Sequence, residues 1–156
     1  MALEIERKFL VSNDAFKKEA FTSKKIIQGF LSSVPERTVR IRIIDKQGYI
    51  TVKGIGNASG TTRFEWEKEI SFSEATDLLK ICEPGVIDKC RFYIKLENHI
   101  YEVDEFYGAN QGLIIAEIEL SSEEESFQKP NWLDKEVTGN KEYYNSSLVK
   151  NPFKNW

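Results

Sequence analysis

The chain has 156 residues, 40% apolar and 30% charged, with 22 Lys and Arg against 25 Asp and Glu for a net charge of −3. Such a chain reads as one domain over residues 1–156 with a real hydrophobic core, which excludes disorder, and its charge balance excludes a generally basic surface for nucleic acid. Cys82 and Cys90 are the only cysteines, so a disulfide framework and a thiolate zinc cluster are both excluded. Charges at Glu4, Glu6, Arg7 and Lys8 argue against a signal peptide, and apolar runs stop at about the length of Leu113-Ile114-Ile115-Ala116. The expectation is a soluble, cytoplasmic protein with no membrane or nucleic-acid partner.

In chain order, the first element is Glu4-Ile5-Glu6-Arg7-Lys8-Phe9. Its charged and apolar residues alternate, as they do along a strand whose successive side chains point to opposite faces. A turn at Val34-Pro35-Glu36 leads to Val39-Arg40-Ile41-Arg42-Ile43, with two arginines on one face, and a turn at Lys46-Gln47-Gly48 leads to Tyr49–Lys53. Gly54, Gly56 and Gly60 lack the order of a phosphate-cradling loop, and their stretch reads as a mobile hairpin loop. Phe64–Ile70 alternates again, with Glu65, Glu67 and Glu69 on one face. A helix follows over Ser73–Ile81, with Ser73 as N-cap and Ala75, Leu78 and Leu79 as its apolar stripe. Lys89–Ile94 sets Lys89 beside Arg91, and Tyr101–Asp104 sets Glu102 beside Asp104. Between them His99, the only histidine, reads as an exposed turn residue rather than a catalytic base. After a turn at Gly108-Ala109-Asn110, Ala116–Leu120 pairs Glu117 with Glu119. Ser122–Glu125 reads as a capping box opening a helix, and Asn140–Val149 as a third helix. Many short antiparallel strands with few helices describe an α+β protein whose sheet curls into a barrel.

One face of these strands carries like-signed pairs: Glu4 and Glu6, Arg40 and Arg42, Glu65 and Glu67, Lys89 and Arg91, Glu117 and Glu119. A face bare to water is one reading, although like charges placed together are mildly destabilising. The other reading is a closed sheet with its apolar face outward under helices and its charged face inward. Burying ions costs several kcal/mol each unless they are compensated. An inward face of clustered carboxylates and clustered Arg and Lys therefore suits a hard divalent cation, Mg²⁺ or Mn²⁺, together with phosphates.

These residues resemble the CYTH domain, or triphosphate tunnel metalloenzyme, family. The likeness runs through Glu4-x-Glu6-x-Lys8, Gln28-Gly29-Phe30-Leu31, Arg40-x-Arg42, Lys53, Glu65-x-Glu67, Lys89-x-Arg91, Asp104 and Glu117-x-Glu119, and ends in Glu136-Val137-Thr138 with Tyr143 and Asn145. Phe30 departs from it, standing where the family often has Tyr. The resemblance implies a closed eight-stranded antiparallel β-barrel, a tunnel with a charged lumen flanked by a few short helices. It also implies metal-dependent chemistry on a small-molecule triphosphate, most of all hydrolysis of inorganic tripolyphosphate to pyrophosphate and phosphate. Adenylate cyclase and thiamine triphosphatase activity on the same scaffold are the alternatives, ahead of a non-catalytic polyphosphate-binding module. Lys8, Arg40, Arg42, Lys53, Lys89 and Arg91 are the expected phosphate-clamping, catalytic residues. Glu4, Glu6, Glu65, Glu67, Asp104, Glu117 and Glu119 are the expected metal ligands. Arg37 and Arg63 are candidates for the phosphate site and equally for the rim or surface, Cys82 and Cys90 for packing, and the state is monomer or homodimer.

Overall fold

Every alternating segment forms a strand in the computed structural model, which describes residues 3–156. The strands are β1 (Leu3–Val11), β2 (Thr22–Ser32), β3 (Arg37–Ile44), β4 (Gln47–Gly54), β5 (Thr62–Ile70), β6 (Ile87–Leu96), β7 (His99–Phe106), β8 (Ile114–Glu119) and β9 (Leu133–Glu136). They pair in the order β5-β4-β3-β2-β6-β7-β8-β1, and β1 returns to β5 through Leu3↔Phe64 and Ile5↔Thr62. Eight antiparallel strands thus close a barrel, which removes the exposed edges of an open sheet. β9 is a ninth strand, on β1 at Phe9 and Val11.

β2 and β9 carry no clean alternation. In β2 both faces are covered: Ile26, Gln28 and Phe30 are buried, and Gly29 lies so close under Cys82 that an added Cβ would stand 3.1 Å from its Sγ. Two buried faces make an apolar run rather than an alternating one. The β3–β4 turn lies at Asp45-Lys46, with Asp45 at φ 55°, and Gln47 and Gly48 belong to β4.

The outward apolar face is covered from two sides. Phe16 of α1 (Phe16–Glu19), with Trp132, Tyr101, Val103 and Ile118, forms a core over β6, β7, β8 and β1. On the far side lies α2 (Phe72–Leu79), with Ala75 buried against Gly48 of β4. Its N-cap is Ser71 rather than Ser73: a capping box needs an acid three residues on, and Ser71 has Glu74 there. Ser122–Glu125 forms turns, not a helix. Its carboxylates serve distant partners instead, Glu123 accepting from Thr61 and Thr62, and Glu125 meeting His99. His99 itself is half-buried at the start of β7 rather than exposed in the turn.

The third expected helix is broken. A 3₁₀ turn at Lys141–Tyr143 and the short α3 (Asn145–Leu148) flank Tyr144, whose backbone is extended at φ −69°, ψ 137°. The break carries this segment across one end of the barrel. Tyr144 lies over Lys8 of β1, Asn145 meets Gln28 of β2, and Leu148 packs with Ile87, Phe106, Leu113 and Ile115. Ile87, Phe106 and Ile115 continue the inward rows of β6, β7 and β8, so the lumen ends there on an apolar floor. Among the described residues no helix is long and apolar enough to cross a membrane.

Candidate active site

Inside the barrel lies a polar cavity of about 150 Å³. Glu4, Glu6, Lys8, Arg40, Arg42, Lys53, Glu65, Glu67, Lys89, Arg91, Glu117 and Glu119 all line it. Asp104 does not. It is buried behind Lys89 and Arg91, accepting from Lys89 Nζ at 2.8 Å and from Arg91 Nε and Nη2 at 2.7 and 2.9 Å.

Register gives the lumen its depth order. On β1 and β8, Glu6 stands opposite Glu119 and, one step nearer the floor, Lys8 opposite Glu117. On β6 and β7, Arg91 stands opposite Asp104, and Lys89 opposite Phe106 of the floor. Lys8 and Lys89 therefore lie deep, with Glu119 and Glu102 nearer the mouth, while Lys53 stands level with Glu65 and Arg40, through Thr51, with Glu67.

Opposite signs pair across strands. Lys53 Nζ donates to both Glu4 oxygens at 3.0 and 3.1 Å and lies 3.3 Å from Glu65. Arg40 and Arg42 each reach Glu67 Oε2 at 3.3 Å, and Thr51 donates to the same oxygen at 2.7 Å. Arg91 lies 3.5 Å from Glu102, and Lys8 3.8 Å from Glu117. Burial disfavours the Glu4 carboxylate, yet the Lys53 charge, the hydrogen bonds from Glu65 and Lys53 and the Arg63 charge together outweigh it and hold Glu4 at about 2. Among the described residues Glu6 has no ion-pair partner: burial, then the Glu117 and Glu4 charges, push its carboxyl well above the usual range. Glu119 is raised to about 7 by burial and by the charges of Glu102 and Glu4. Burial lowers Lys89 to about 8 against the pull of Asp104.

Two donors are left over. Arg40 Nε and Arg42 Nε are buried with no hydrogen-bond partner among the described residues. A buried unpaired donor costs about 1–3 kcal/mol, more when charged, and both belong to side chains that line the cavity, so an anion that draws them into it gains their hydrogen bonds. The inward carboxylates supply the hard oxygen donors that a divalent cation takes. Among the described residues, however, no three of them converge as a ready-made ligand set. An ion binding here has to draw them together.

Eight lining residues lie outside the expected clamp and ligand sets, Arg63, Glu102, Tyr144 and Asn145 among them. Of the two arginines expected in the phosphate site or at the rim or surface, Arg63 faces the cavity and Arg37 is exposed. Glu102 lines it through the same period-two parity that marks Asp104. Tyr144 and Asn145 come from the floor segment, where no periodic signal exists. Asn145 Oδ1 accepts from Lys89 Nζ at 2.9 Å and from Gln28 Nε2 at 3.2 Å. The Gly54–Gly60 loop is fastened rather than loose: Asn57, Thr61 and Thr62 donate to Glu123 at 3.0, 2.7 and 2.8 Å.

Residues 2–151 match the CYTH domain family. This chain belongs to the CYTH domain family. A relative in Acetivibrio thermocellus named inorganic triphosphatase is 46% identical over 159 residues, covering 100% of this chain and 99% of its own. A second inorganic triphosphatase, from Nitrosomonas europaea, is 32% identical over 152 residues, covering 94% and 96%. A solved structure of an inorganic triphosphatase superposes with a TM-score of 0.67 at 29% identity, covering 94% of this chain and 97% of that one. The CYTH barrel of this chain therefore has counterparts along its full length in proteins named for triphosphate hydrolysis.

Proposed function

We propose that this CYTH protein hydrolyses the phosphoanhydride bond of a triphosphate at a terminal phosphorus, and that its substrate is inorganic tripolyphosphate. The observation that carries this reading is the pair of buried, unpartnered guanidinium donors, Arg40 Nε and Arg42 Nε, in a cavity lined by further cations. The names of its two relatives support the choice of substrate.

Lys8, Arg40, Arg42, Lys53, Lys89 and Arg91 clamp the phosphate chain and neutralise charge as it develops on the leaving oxygen. Lys89 and Arg91 do so in fixed positions, because Asp104 holds both from behind. Glu4, Glu6, Glu65, Glu67, Glu117 and Glu119 would hold Mg²⁺ or Mn²⁺, with Asp104 joining only by giving up a cation. An ion held there would supply Lewis-acid stabilisation of phosphate charge and a lowered pKa for the attacking water.

The aromatic lining residues are Phe30 and Tyr144. Tyr93, opposite Glu102, and Tyr49, beside Arg42, continue the inward rows of β6 and β4 toward the mouth, so the choice of an inorganic chain over a nucleotide rests on the relatives' names. The test is product analysis with Mg²⁺ and with Mn²⁺ on tripolyphosphate, ATP and thiamine triphosphate at equal concentration. Tripolyphosphate is turned over fastest, to pyrophosphate and phosphate. Cyclic AMP as the main product from ATP would overturn this reading in favour of a cyclase.

A further inference from the structure

Beyond the floor end of the main cavity lies a second chamber of about 10 Å³, bounded on its far side by the backbones of Gly60 and Gly139. Glu6, Lys8, Arg63 and Tyr144 border both chambers, so they stand between them. Three of the four are charged groups suited to phosphate or metal. Tyr144 is the exception. Its ring stacks on two cations, 4.9 Å from Lys8 Nζ and 5.6 Å from Arg63 Cζ. Its hydroxyl points at the Gly60 backbone, where an added Cβ would stand 3.2 Å from the hydroxyl and 2.5 Å from Gly139 Cα. Gly60 and Gly139, at φ +75° and +78°, let the two backbones meet there and close the end.

We propose that Tyr144 is the end stop of the phosphate channel. Its ring fixes how far a linear polyphosphate enters, and so which anhydride bond lies at the reacting position. This rests on the reading above and names the residue that sets register in that same site. The second chamber has the right chemistry for one more phosphate, since Lys8 and Arg63 face it, but not the room. A space of 10 Å³ is at the lower limit for a single water. Removing the ring joins the chambers and exposes both cations to the chain, which then slides one unit deeper.

Linear tetrapolyphosphate reads this directly. In each hydrolysis a P–O bond of one bridge breaks, the water oxygen bonds to that phosphorus, and its protons pass to the products and solvent. Cleavage of an outer bridge gives phosphate and tripolyphosphate; cleavage of the central bridge gives two pyrophosphates. In the first turnovers the wild type yields one of these product sets. Tyr144→Ala yields both, in comparable amounts, and Tyr144→Phe keeps the single set because the ring, not the hydroxyl, is the stop. An unchanged single set from Tyr144→Ala, or both sets from the wild type, overturns the inference. Tyr144→Leu is the second variant should Tyr144→Ala not fold; if neither folds, Tyr144 is a brace and not a stop. Well-folded variants that no longer cleave tripolyphosphate would place the ring in the reaction itself, which also overturns it. If the wild type cleaves no triphosphate, the functional reading falls separately, and calorimetry with tri- and tetrapolyphosphate decides the stop. Tyr144→Ala then gains affinity for the longer chain by on the order of tenfold, the worth of one added charged contact, or the stop falls too.

Discussion

Replacing Asp104 by Asn removes one charge and almost no volume. Asp104 is 1% exposed, and its carboxylate is the shared partner of Lys89 and Arg91, themselves 1% and 7% exposed. The three hydrogen bonds it accepts, at 2.7, 2.8 and 2.9 Å, are charge-assisted. Taking one partner from a buried pair costs about 3–5 kcal/mol, because the ions left behind stay desolvated without compensation. For a domain of this size 1 kcal/mol moves the melting temperature by about 2–4 °C, so the expected fall is roughly 6–20 °C. A domain with about 5–15 kcal/mol of stability survives that, so the variant can be purified and melted. The assay is thermal and urea unfolding of both proteins at neutral pH without added phosphate. Tripolyphosphate supplies new partners for the two stranded cations, so it narrows the gap between variant and wild type. A loss below about 1 kcal/mol, the value of an exposed pair, would refute the claim that Asp104 is the buried keystone of this cluster.

Saturating Mg²⁺ with tripolyphosphate stabilises the fold by about 2.7 kcal/mol at a hundredfold excess over the dissociation constant, which raises the melting temperature; no upward shift in a thermal melt counts against a lumen site. Arg40→Ala or Lys53→Ala lowers tripolyphosphate turnover by on the order of 10²-fold. Glu117→Gln is partly rescued by raising the metal concentration, and wild-type turnover in all three would empty the assigned site of meaning. Glu119 has a carboxyl raised to about 7 from 4.5, so the ion-free folded protein holds this proton more tightly than the unfolded chain does. Its contribution to stability is therefore present below 4.5 and lost as pH rises through 7. Metal displaces the same proton, and Glu6 is raised as well, so calorimetry in buffers of different ionisation enthalpy shows a proton release at pH 6 that is smaller in Glu119→Gln than in the wild type; equal release from the two refutes this assignment of Glu119.

The barrel was legible because its strands are buried on one face and charged on the other. Residues such as Ile5, Ile41 and Ile118 mark one parity, and Glu6, Arg42 and Glu117 the other. Where that asymmetry fails, the signal fails. β2 is apolar on both faces, and β9 is four residues long on the outside of β1. The site was legible for the same reason, down to Glu102, which shares its parity with Asp104. Depth was not legible. That Asp104 lies behind Lys89 and Arg91 depends on how far neighbouring strands are staggered, and period two carries no information about stagger. The floor was hidden more deeply, because Tyr144 and Asn145 owe their place to a break in a helical pattern. Their ring and amide contacts with Lys8, Arg63, Lys89 and Gln28 outweigh local helix propensity, a tertiary effect that no short window of sequence contains.

Like-signed pairs along each strand and opposite signs between strands also sort the acids by how readily they change partners. Every cation of the clamp is held by a carboxylate, which offsets the desolvation of both. A phosphate chain competes for those cations, and each contact it makes releases an acid. Release is cheap where water reaches the acid and expensive where it does not. Glu67, 34% exposed in its side chain, gives up Arg40 and Arg42 at little cost, and Glu65, at 29%, its contact with Lys53, which Glu4, at 8%, still holds. Asp104, at 1%, does not give up Lys89 and Arg91. Phosphate binding therefore frees negative charge near the mouth while leaving the deep pairs intact, and that freed charge raises the affinity for a divalent cation. Anion and cation then bind with positive linkage through the ion pairs themselves, with no change of fold, because each takes up the partner that the other displaces.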